Sequence, residues 1–463
     1  MGRRDDGELD LSLFNNVKDL SEKRQFDRRQ SDRRQSDRRQ SDRRKTNSSR
    51  RRDSARYIDD AKSSRKNVRK KKKGKAFKVL LTFLIFILIL VGGTVAAIRF
   101  VPGAKEYLLS SCAAPLLKCV LSEDTYNNIF DEDFDKDDII VNEGVNKEKF
   151  TGYYTIALFG IDSRDGSMDA GVNSDSIIIA SINQDTGHVV LSSVYRDTWL
   201  NIPDKDGDFD EDNFRKINSA YCSGGVSSAI NTMNTNFDLN ISDYVTINFA
   251  GLATIIDMLG GIDLNITEAE MDNLNDYLDE TKEITGMDAD YVTEYGNVHL
   301  NGVQATVYCR IRYSAFYDEE GNRYVDDMGR TARQRYVLSL MIEKAKNAGV
   351  SKLLDIAETI FSGREDIIRT SIPYDDMMEM IPAFIDFELG EAKGFPFTYA
   401  YPDKSLTNGE SAVAVGGLSY NVGLLHDFLY GDKEYTPSNR VQWIDRKLYE
   451  LIGVEDMTVK NDN

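Results

Sequence analysis

Polar and apolar positions divide the chain into segments of different character. Residues 1–78 contain few apolar side chains and include three consecutive copies of Gln-Ser-Asp-Arg-Arg between Gln30 and Arg44. So short a polar repeat cannot bury a core, and we predict a disordered tail. Residues 79–98 are a run without any charged side chain. About 20 such residues are long enough to cross a bilayer, so they predict one transmembrane helix.

The chain from residue 151 to 463 has the mixed pattern of a globular domain. Short β-branched runs, typical of buried strands, are interleaved with segments of helical periodicity. This indicates an α/β fold, in which helices cover a sheet. Residues 99–150 are interpreted as a stalk. We predict strands at Tyr154–Phe159, Ser176–Ile182, Val189–Val194 and Tyr244–Asn248, and helices at Ser227–Phe237, Leu252–Leu259, Thr331–Asn347, Ser419–Tyr430 and Ser438–Ile452.

Charge differs sharply on the two sides of the apolar run. Residues 1–78 hold 28 Lys and Arg against 13 Asp and Glu, a net charge of +15, and the rest of the chain carries −33. Basic segments stay in the cytoplasm, so we predict a single-pass cell-membrane protein with an extracellular C-terminal domain. The basic tail is expected to contact anionic membrane lipids. The acidic outer domain is not expected to bind nucleic acid, which requires a basic face.

All four cysteines follow the apolar run: Cys112, Cys119, Cys222 and Cys309. An extracellular location permits disulfides, and four cysteines allow three full pairings, which the sequence does not distinguish. Cys112 and Cys119 are close enough along the chain to pair. Cys309 lies in an apolar stretch and is interpreted as a buried thiol.

Arginine and aspartate residues accumulate at the ends of the predicted strands. Asp162 and Arg164 follow the first strand, Asp175 precedes the second, and Arg196 and Asp197 follow the third. In open α/β sheets, ligands bind where strands end. Clustered arginines suit phosphate, because the guanidinium group binds its oxygens in bidentate fashion. Carboxylates among them are explained if Mg²⁺ bridges carboxylate and phosphate oxygens; structural salt bridges are the alternative.

These residues belong to a series of short motifs: Leu158–Arg164, Asn173–Asn183, Arg196–Thr198, Lys216–Tyr221, Leu259–Asp263, Leu300–Ala305, Arg310–Arg312 and Asp327–Arg335. In this order and at these spacings, the chain from about residue 150 to the end resembles the LytR–CpsA–Psr family of cell-envelope transferases. Two positions depart from the family pattern. Tyr195 stands where many members have proline, and Asn173 stands where many have arginine, which removes one positive charge from the expected site.

The resemblance implies an α/β/α sandwich with a central mixed sheet and an apolar groove for a polyprenyl chain. It implies a phosphotransferase that moves a glycopolymer from a polyprenyl-pyrophosphate carrier to peptidoglycan. Carried over by motif, Asp162 and Asp175 are the expected Mg²⁺ ligands. The expected pyrophosphate-binding residues are Arg164, Arg196, Asn218, Arg310, Arg312, Asp327, Arg330 and Gln334.

Three candidates for catalytic roles are Asp175, Arg196 and Asp197. Any of Asp162, Asp175 and Asp197 can accept the proton of the acceptor hydroxyl, and the motifs do not choose among them. Two other functions fit the same residues. One is hydrolysis of a polyprenyl pyrophosphate with water as the acceptor, and the other is a non-catalytic role in envelope binding or regulation.

Overall fold

The computed structural model describes residues 123–163, 168, 171–203, 211–318, 321–361 and 367–453. The predicted tail (1–78) and transmembrane helix (79–98) lie outside these residues, as do Cys112, Cys119 and Arg164. Among the described residues, no helix combines the length and the apolar character needed to cross a membrane.

The order of elements confirms the predicted mixture of strands and helices. The strands are β1 (Tyr153–Ile161), β2 (Ser174–Asn183), β3 (His188–Val194), β4 (Trp199–Asn201), β5 (Phe214–Lys216), β6 (Asp243–Asn248), β7 (Ile262–Ile266), β8 (Gly296–Leu300), β9 (Phe316–Tyr317), β10 (Arg323–Tyr324), β11 (Ile368–Thr370), β12 (Glu388–Phe395), β13 (Tyr399–Ala400) and β14 (Ala414–Val415). The helices are α1 (Glu123–Tyr126), α2 (Asn218–Phe237), α3 (Phe249–Met258), α4 (Glu268–Thr285), α5 (Gly302–Tyr308), α6 (Asp326–Phe361), α7 (Tyr374–Ala383), α8 (Leu418–Tyr430) and α9 (Asn439–Ile452).

The central sheet is mixed and has the strand order β11-β6-β1-β2-β3-β12. The pairs β1–β6 and β3–β12 are parallel, whereas β6–β11, β1–β2 and β2–β3 are antiparallel. Both of its faces are buried, as the β-branched run in β2 predicts. Ile177 and Ile179 pack on the side of α2 and α8, and Ile178 packs on the side of α6 and α7. Each buried isoleucine contributes roughly 1.5–3 kcal/mol.

A second hydrophobic cluster lies beside the sheet and is built from α3, β7, α4, β8, α5 and part of α6. Helix α4 begins with a capping box, in which Thr267 and Glu270 satisfy each other's backbone N–H groups. Helix α5 begins with a second one, formed by Asn301 and Gln304. This cluster fixes the segment that follows α5, which carries Arg310 and Arg312.

The predicted stalk boundary at residue 150 is wrong for residues 123–150. Tyr126 and Ile129 are buried against the C-terminal half of α6, and Phe150 belongs to the main core. The backbone N–H of Asp131 donates to Thr370 O at 2.9 Å. Three well-spaced apolar side chains anchor this segment, although its acidic composition resembles that of a solvated linker.

Helix α6 is longer than predicted and brings polar residues to the site. It begins at Asp326 rather than Thr331, and its backbone is kinked at Gly349, which has a φ of 78°. The predicted end of the helix coincides with this kink. The additional first turn places Asp327 and Arg330 on the helix rather than in a loop.

The described cysteines confirm the interpretation of Cys309. Its thiol is free and buried, and burial raises its pKa to about 12. Cys222 is also a free thiol and is partly exposed.

Candidate active site

Asp175 occupies an irregular position at the start of β2. Gly160 of β1 pairs with Ser176 and Ile161 pairs with Ser174, so Asp175 lies between two paired residues in a β-bulge. Bulges re-aim side chains and are frequent beside active sites. The strands approach so closely here that a Cβ on Gly160 would lie 2.9 Å from the Cβ of Ser176. The glycine therefore allows the geometry that directs Asp175 out of the regular pleat.

Arg196 follows β3 and is fixed by its neighbours in the chain. The N–H of Tyr195 donates to Phe395 O at 2.9 Å, and the N–H of Asn218 donates to Arg196 O at 3.2 Å. The Arg196 side chain donates from Nη1 to Oδ1 of Asp175 at 2.7 Å. Its Nε lies 3.4 Å from Oδ1 of Asp327. One guanidinium group thus joins the bulge in β2 to the first turn of α6.

Arg330 approaches the same two carboxylates from helix α6. Its side chain is 3% exposed, and Nη1 lies 3.2 Å from Oδ2 of Asp175. Nη2 donates to the backbone carbonyl of Asp175 at 3.2 Å and lies 3.0 Å from Oδ1 of Asp327. Arg312 is more exposed and lies 3.7 Å from each carboxylate. We call Asp175, Arg196, Arg312, Asp327 and Arg330 the Arg–Asp cluster.

Electrostatics keeps Asp175 and Arg330 charged. Burial raises the pKa of Asp175, but Arg330, Arg196 and Arg312 outweigh it, and the net effect lowers the pKa. Burial lowers the pKa of Arg330 to about 10 against the influence of Asp327 and Asp175, so the group stays protonated at neutral pH. Three guanidinium groups converge on two carboxylates, and the carboxylate of Asp197 lies 3.9 Å from Nε of Arg196 at the edge of the cluster.

Other predicted site residues have different partners. Arg310 donates to Thr281 Oγ1 at 2.6 Å and to Glu280 at 3.0 Å, and it lies over the ring of Phe249. Gln334 donates to Cys309 O at 3.3 Å, which ties α6 to the segment of Arg310. These contacts position that segment rather than fill the cluster.

Asn218 and Asp197 lie next to Arg196. Asn218 is buried as the first residue of α2, and its backbone bonds the carbonyl of Arg196. Oδ1 of Asp197 lies 3.4 Å from Nζ of Lys216. Arg164 lies outside the described residues.

Two members of this region, Lys216 and Glu410, were not predicted from the sequence. Lys216 lies between Asp197 and Glu410, with its Nζ 3.2 Å from a carboxylate oxygen of Glu410. Lys216 is the first residue of the motif Lys216–Tyr221, and this motif could have identified it as a site residue. Glu410 comes from a distant loop, and the sequence around it has no distinguishing pattern.

The two predicted metal ligands, Asp162 and Asp175, can be compared with the ligands that Mg²⁺ requires. Asp162 directly follows β1 and Asp175 lies on the paired strand β2, so the two predicted ligands are neighbours across the sheet. No group of three or more His, Cys, Asp or Glu side chains that could hold a metal exists within the described residues. Two carboxylates, completed by phosphate oxygens and water, are a usual environment for Mg²⁺. The two carboxylates fit Mg²⁺ in ligand type, while both oxygens of Asp175 also accept hydrogen bonds from Arg196 and Arg330.

Comparisons with known proteins agree on one protein family. The LytR_cpsA_psr family model matches residues 122–400 of the chain. The polyisoprenyl-teichoic acid–peptidoglycan teichoic acid transferase TagU of Enterococcus faecalis is 32% identical over 237 residues, 51% of this chain and 65% of that protein. The chain thus spans slightly less than two thirds of the length of this relative.

Two Bacillus subtilis proteins are also similar to the chain. The transferase TagU is 28% identical over 316 residues, which cover 68% of this chain and 84% of that protein. The crystal structure of TagV has 23% sequence identity and a TM-score of 0.44, covering 62% of this chain and 98% of TagV.

Proposed function

The chain belongs to the LytR_cpsA_psr family, and we propose that it transfers a glycopolymer from a polyprenyl-pyrophosphate carrier to peptidoglycan. The observation that carries this proposal is the convergence of three guanidinium groups on one partly exposed site. A pyrophosphate is the kind of dianionic group that such a cluster binds. The names of the TagU relatives supply the acceptor class, peptidoglycan, and one donor class, teichoic acid.

In the proposed reaction, a hydroxyl oxygen of peptidoglycan attacks the phosphorus that bears the glycan. A new P–O bond forms, the P–O bond to the carrier breaks, and polyprenyl phosphate leaves. Negative charge increases on the leaving and equatorial oxygens in the transition state. Arg196, Arg312 and Arg330 are already oriented by Asp175 and Asp327, so they stabilise that charge without reorganisation.

The hydroxyl proton passes to a carboxylate during the attack. Asp175 is a weak proton acceptor, because the three arginines lower its pKa, and a general base works best when its pKa is near the working pH. This argues against Asp175 as the base. Asp327 lies among arginines, and we assign it the positioning of these groups rather than direct contact with phosphate.

We propose that Asp162 and Asp175 hold Mg²⁺ together with the substrate. The ion would supply neutralisation of phosphate charge. We further propose that the polyprenyl chain lies along the sheet face beneath α6. Leu158, Leu338 and Ile342 are only partly buried there, so this apolar face has surface available for a lipid.

The membrane arrangement completes the proposal. Residues 79–98 would span the membrane once, with the basic residues 1–78 in the cytoplasm against anionic lipids, and residues 123–453 would lie outside. The carrier lipid and peptidoglycan would then both be reachable from the outer surface.

The test uses the full chain in detergent micelles. It is incubated with a polyprenyl-pyrophosphoryl disaccharide, peptidoglycan fragments and Mg²⁺, and the products are identified by mass spectrometry. We expect a phosphodiester-linked disaccharide on the fragment, together with polyprenyl phosphate. Arg330→Met should abolish this product, whereas Arg446→Met, at an exposed arginine of α9, should not.

Other products would identify another function. Polyprenyl phosphate with free phosphodisaccharide would establish the hydrolase. Carrier binding without any turnover would establish the non-catalytic role. Transfer activity that persists in EDTA would show that the reaction does not require Mg²⁺, and the transferase proposal would stand.

A further inference from the structure

A large cavity lies beside helix α6, away from the Arg–Asp cluster. Its volume is about 1080 Å³, and α6, β12 and the hairpin of β9 and β10 enclose it. Ala332, Arg335 and Tyr336 line it from the helix. Arg335 follows Arg330 by five residues, which turns its side chain by roughly 140° around the helix axis. The cavity and the cluster therefore occupy different faces of α6.

Arg335 is a buried cation, and one of its guanidinium nitrogens has no acceptor among the described residues. It is 6% exposed, and its Nη1 has no hydrogen-bond partner among the residues that the structure describes. Arg333, two positions earlier, is also buried but donates to Glu270 and to three backbone carbonyls. A guanidinium group stays charged in proteins, and a buried unsatisfied charge is destabilising. An anionic group inside the cavity would supply the missing acceptor.

In the part of the chain that the structure describes, no nearby side chain provides an acceptor to Nη1 of Arg335. Burial lowers the pKa of Arg335, while Tyr195, Tyr324 and Asp318 lie close enough to oppose the effect. The carboxylate of Asp318 accepts hydrogen bonds from the backbone and side chain of Asn322 and from the hydroxyl of Tyr324. These hydrogen bonds hold the Asp318 carboxylate within the hairpin of β9 and β10.

The rest of the lining restricts the ligand class. Phe316, Tyr317 and Tyr336 offer flat apolar rings, and Glu343 and Glu388 offer carboxylates. The carboxylates repel further negative charge but accept hydrogen bonds from hydroxyl groups. A cavity of about 1000 Å³ is at the upper end of the range for small-molecule sites. We propose that it binds a saccharide carrying one phosphate or carboxylate group, with that group on Arg335.

The test is calorimetric titration of the full chain in detergent with N-acetylglucosamine 1-phosphate, without carrier or acceptor. Arg335→Met removes the charge and keeps most of the side-chain length. Ser339→Trp fills the cavity from the next turn, where the serine hydroxyl only donates to Tyr336 O within the helix. Ser351→Trp, at an exposed position of α6, is its matched control.

We expect each cavity variant to weaken binding at least about tenfold, because a charge-assisted hydrogen bond or the space itself is lost. Ser351→Trp should bind like the original chain, and N-acetylglucosamine without phosphate should bind at least about tenfold more weakly. All titrations are repeated in an Arg330→Met background, which weakens any binding of the probe to the Arg–Asp cluster. Unchanged binding in both cavity variants, loss of binding in Arg330→Met alone, or equally tight binding of inorganic phosphate would each overturn the proposal.

This experiment is separate from the transfer assay. If Arg335→Met does not fold, Ser339→Trp decides the outcome. A chain that binds the sugar phosphate but transfers nothing would retain the cavity site and lose the proposed function. A chain that transfers glycan but does not bind the probe would lose only the cavity site.

Discussion

Helix α6 carries arginine–carboxylate groups on different faces, and they are built differently. On one face, Arg333 is fully buried and pairs with Glu270, which is itself buried. On another face, Arg196, Arg312 and Arg330 share Asp175 and Asp327, whose side chains remain about one fifth exposed. The first group is a single cation with a single anion, whereas the second gathers three cations around shared carboxylates, with Asp197 3.9 Å from Arg196.

This difference separates a structural ion pair from a ligand site. The Arg333 guanidinium is surrounded by Glu270 and by backbone carbonyls, so an incoming phosphate would have to displace protein acceptors. The Arg–Asp cluster is partly exposed, so an anion can contact its guanidinium groups without entering the core. Mutations in the two groups should therefore affect stability and activity in opposite proportions.

The largest effect is expected from breaking the buried pair. Arg333→Met leaves the Glu270 charge uncompensated, and loss of one partner of a buried pair costs about 3–5 kcal/mol. The free energy of unfolding, measured by urea denaturation followed by circular dichroism, should fall by that amount. The double variant Arg333→Met with Glu270→Met should recover most of it. Equal losses in the single and double variants would contradict the interpretation.

Asp175→Asn should have the opposite profile. The arginines lose a shared charge that orients them, and we expect the transfer rate to fall on the order of 100-fold, as for other pre-organised transition-state contacts. The loss of unfolding free energy should be smaller than for Arg333→Met. Asp272→Asn, at an exposed aspartate of α4, is the matched control and should keep full activity. A fully active Asp175→Asn protein would exclude a role of this carboxylate in transfer.

The sequence predicted the central fold because its signal is local. Runs such as Ser176–Ile182 indicate a buried strand by themselves, and β2 is found there. Helix α4 was not predicted, although the capping box of Thr267 and Glu270 can be read directly from the sequence. The segment 123–150 was misassigned because its docking depends on Tyr126 reaching the distant residues of α6 and α7.

The sequence predicted which residues form the site, but not which of them pair with one another. The motifs identified Asp175, Arg196 and Arg330, which the structure brings together. They did not separate Arg310 from Arg312, two residues apart, although Arg310 turns to Glu280 on α4. The buried role of Arg333 was equally hidden, because its partner Glu270 comes from another helix. Such distinctions depend on tertiary contacts, which residue spacing does not encode.

A smaller effect should distinguish these arginines experimentally. Arg196→Lys replaces a planar fork that contacts both Asp175 and Asp327 by an ammonium group that satisfies only one of them. The transfer rate should fall about tenfold, which corresponds to roughly 1.4 kcal/mol. Arg310→Lys, measured in the same mass-spectrometric assay, should change the rate by less than about threefold. A reversed order would assign pyrophosphate binding to Arg310 rather than to Arg196.

The smallest effect should be a pH dependence that belongs to the cluster. Asp175 has a lowered pKa in the folded protein, whereas its unfolded value is about 3.9. Its contribution to stability is therefore complete above about pH 4 and is lost as the pH falls through the folded-state pKa, because the unfolded chain binds the proton first. Urea denaturation between pH 5 and pH 3 should show a steeper decline for the original chain than for Asp175→Asn, by at most one proton. Parallel curves would mean that the arginines do not stabilise the Asp175 carboxylate, and the contrast with the buried pair would then rest on activity alone.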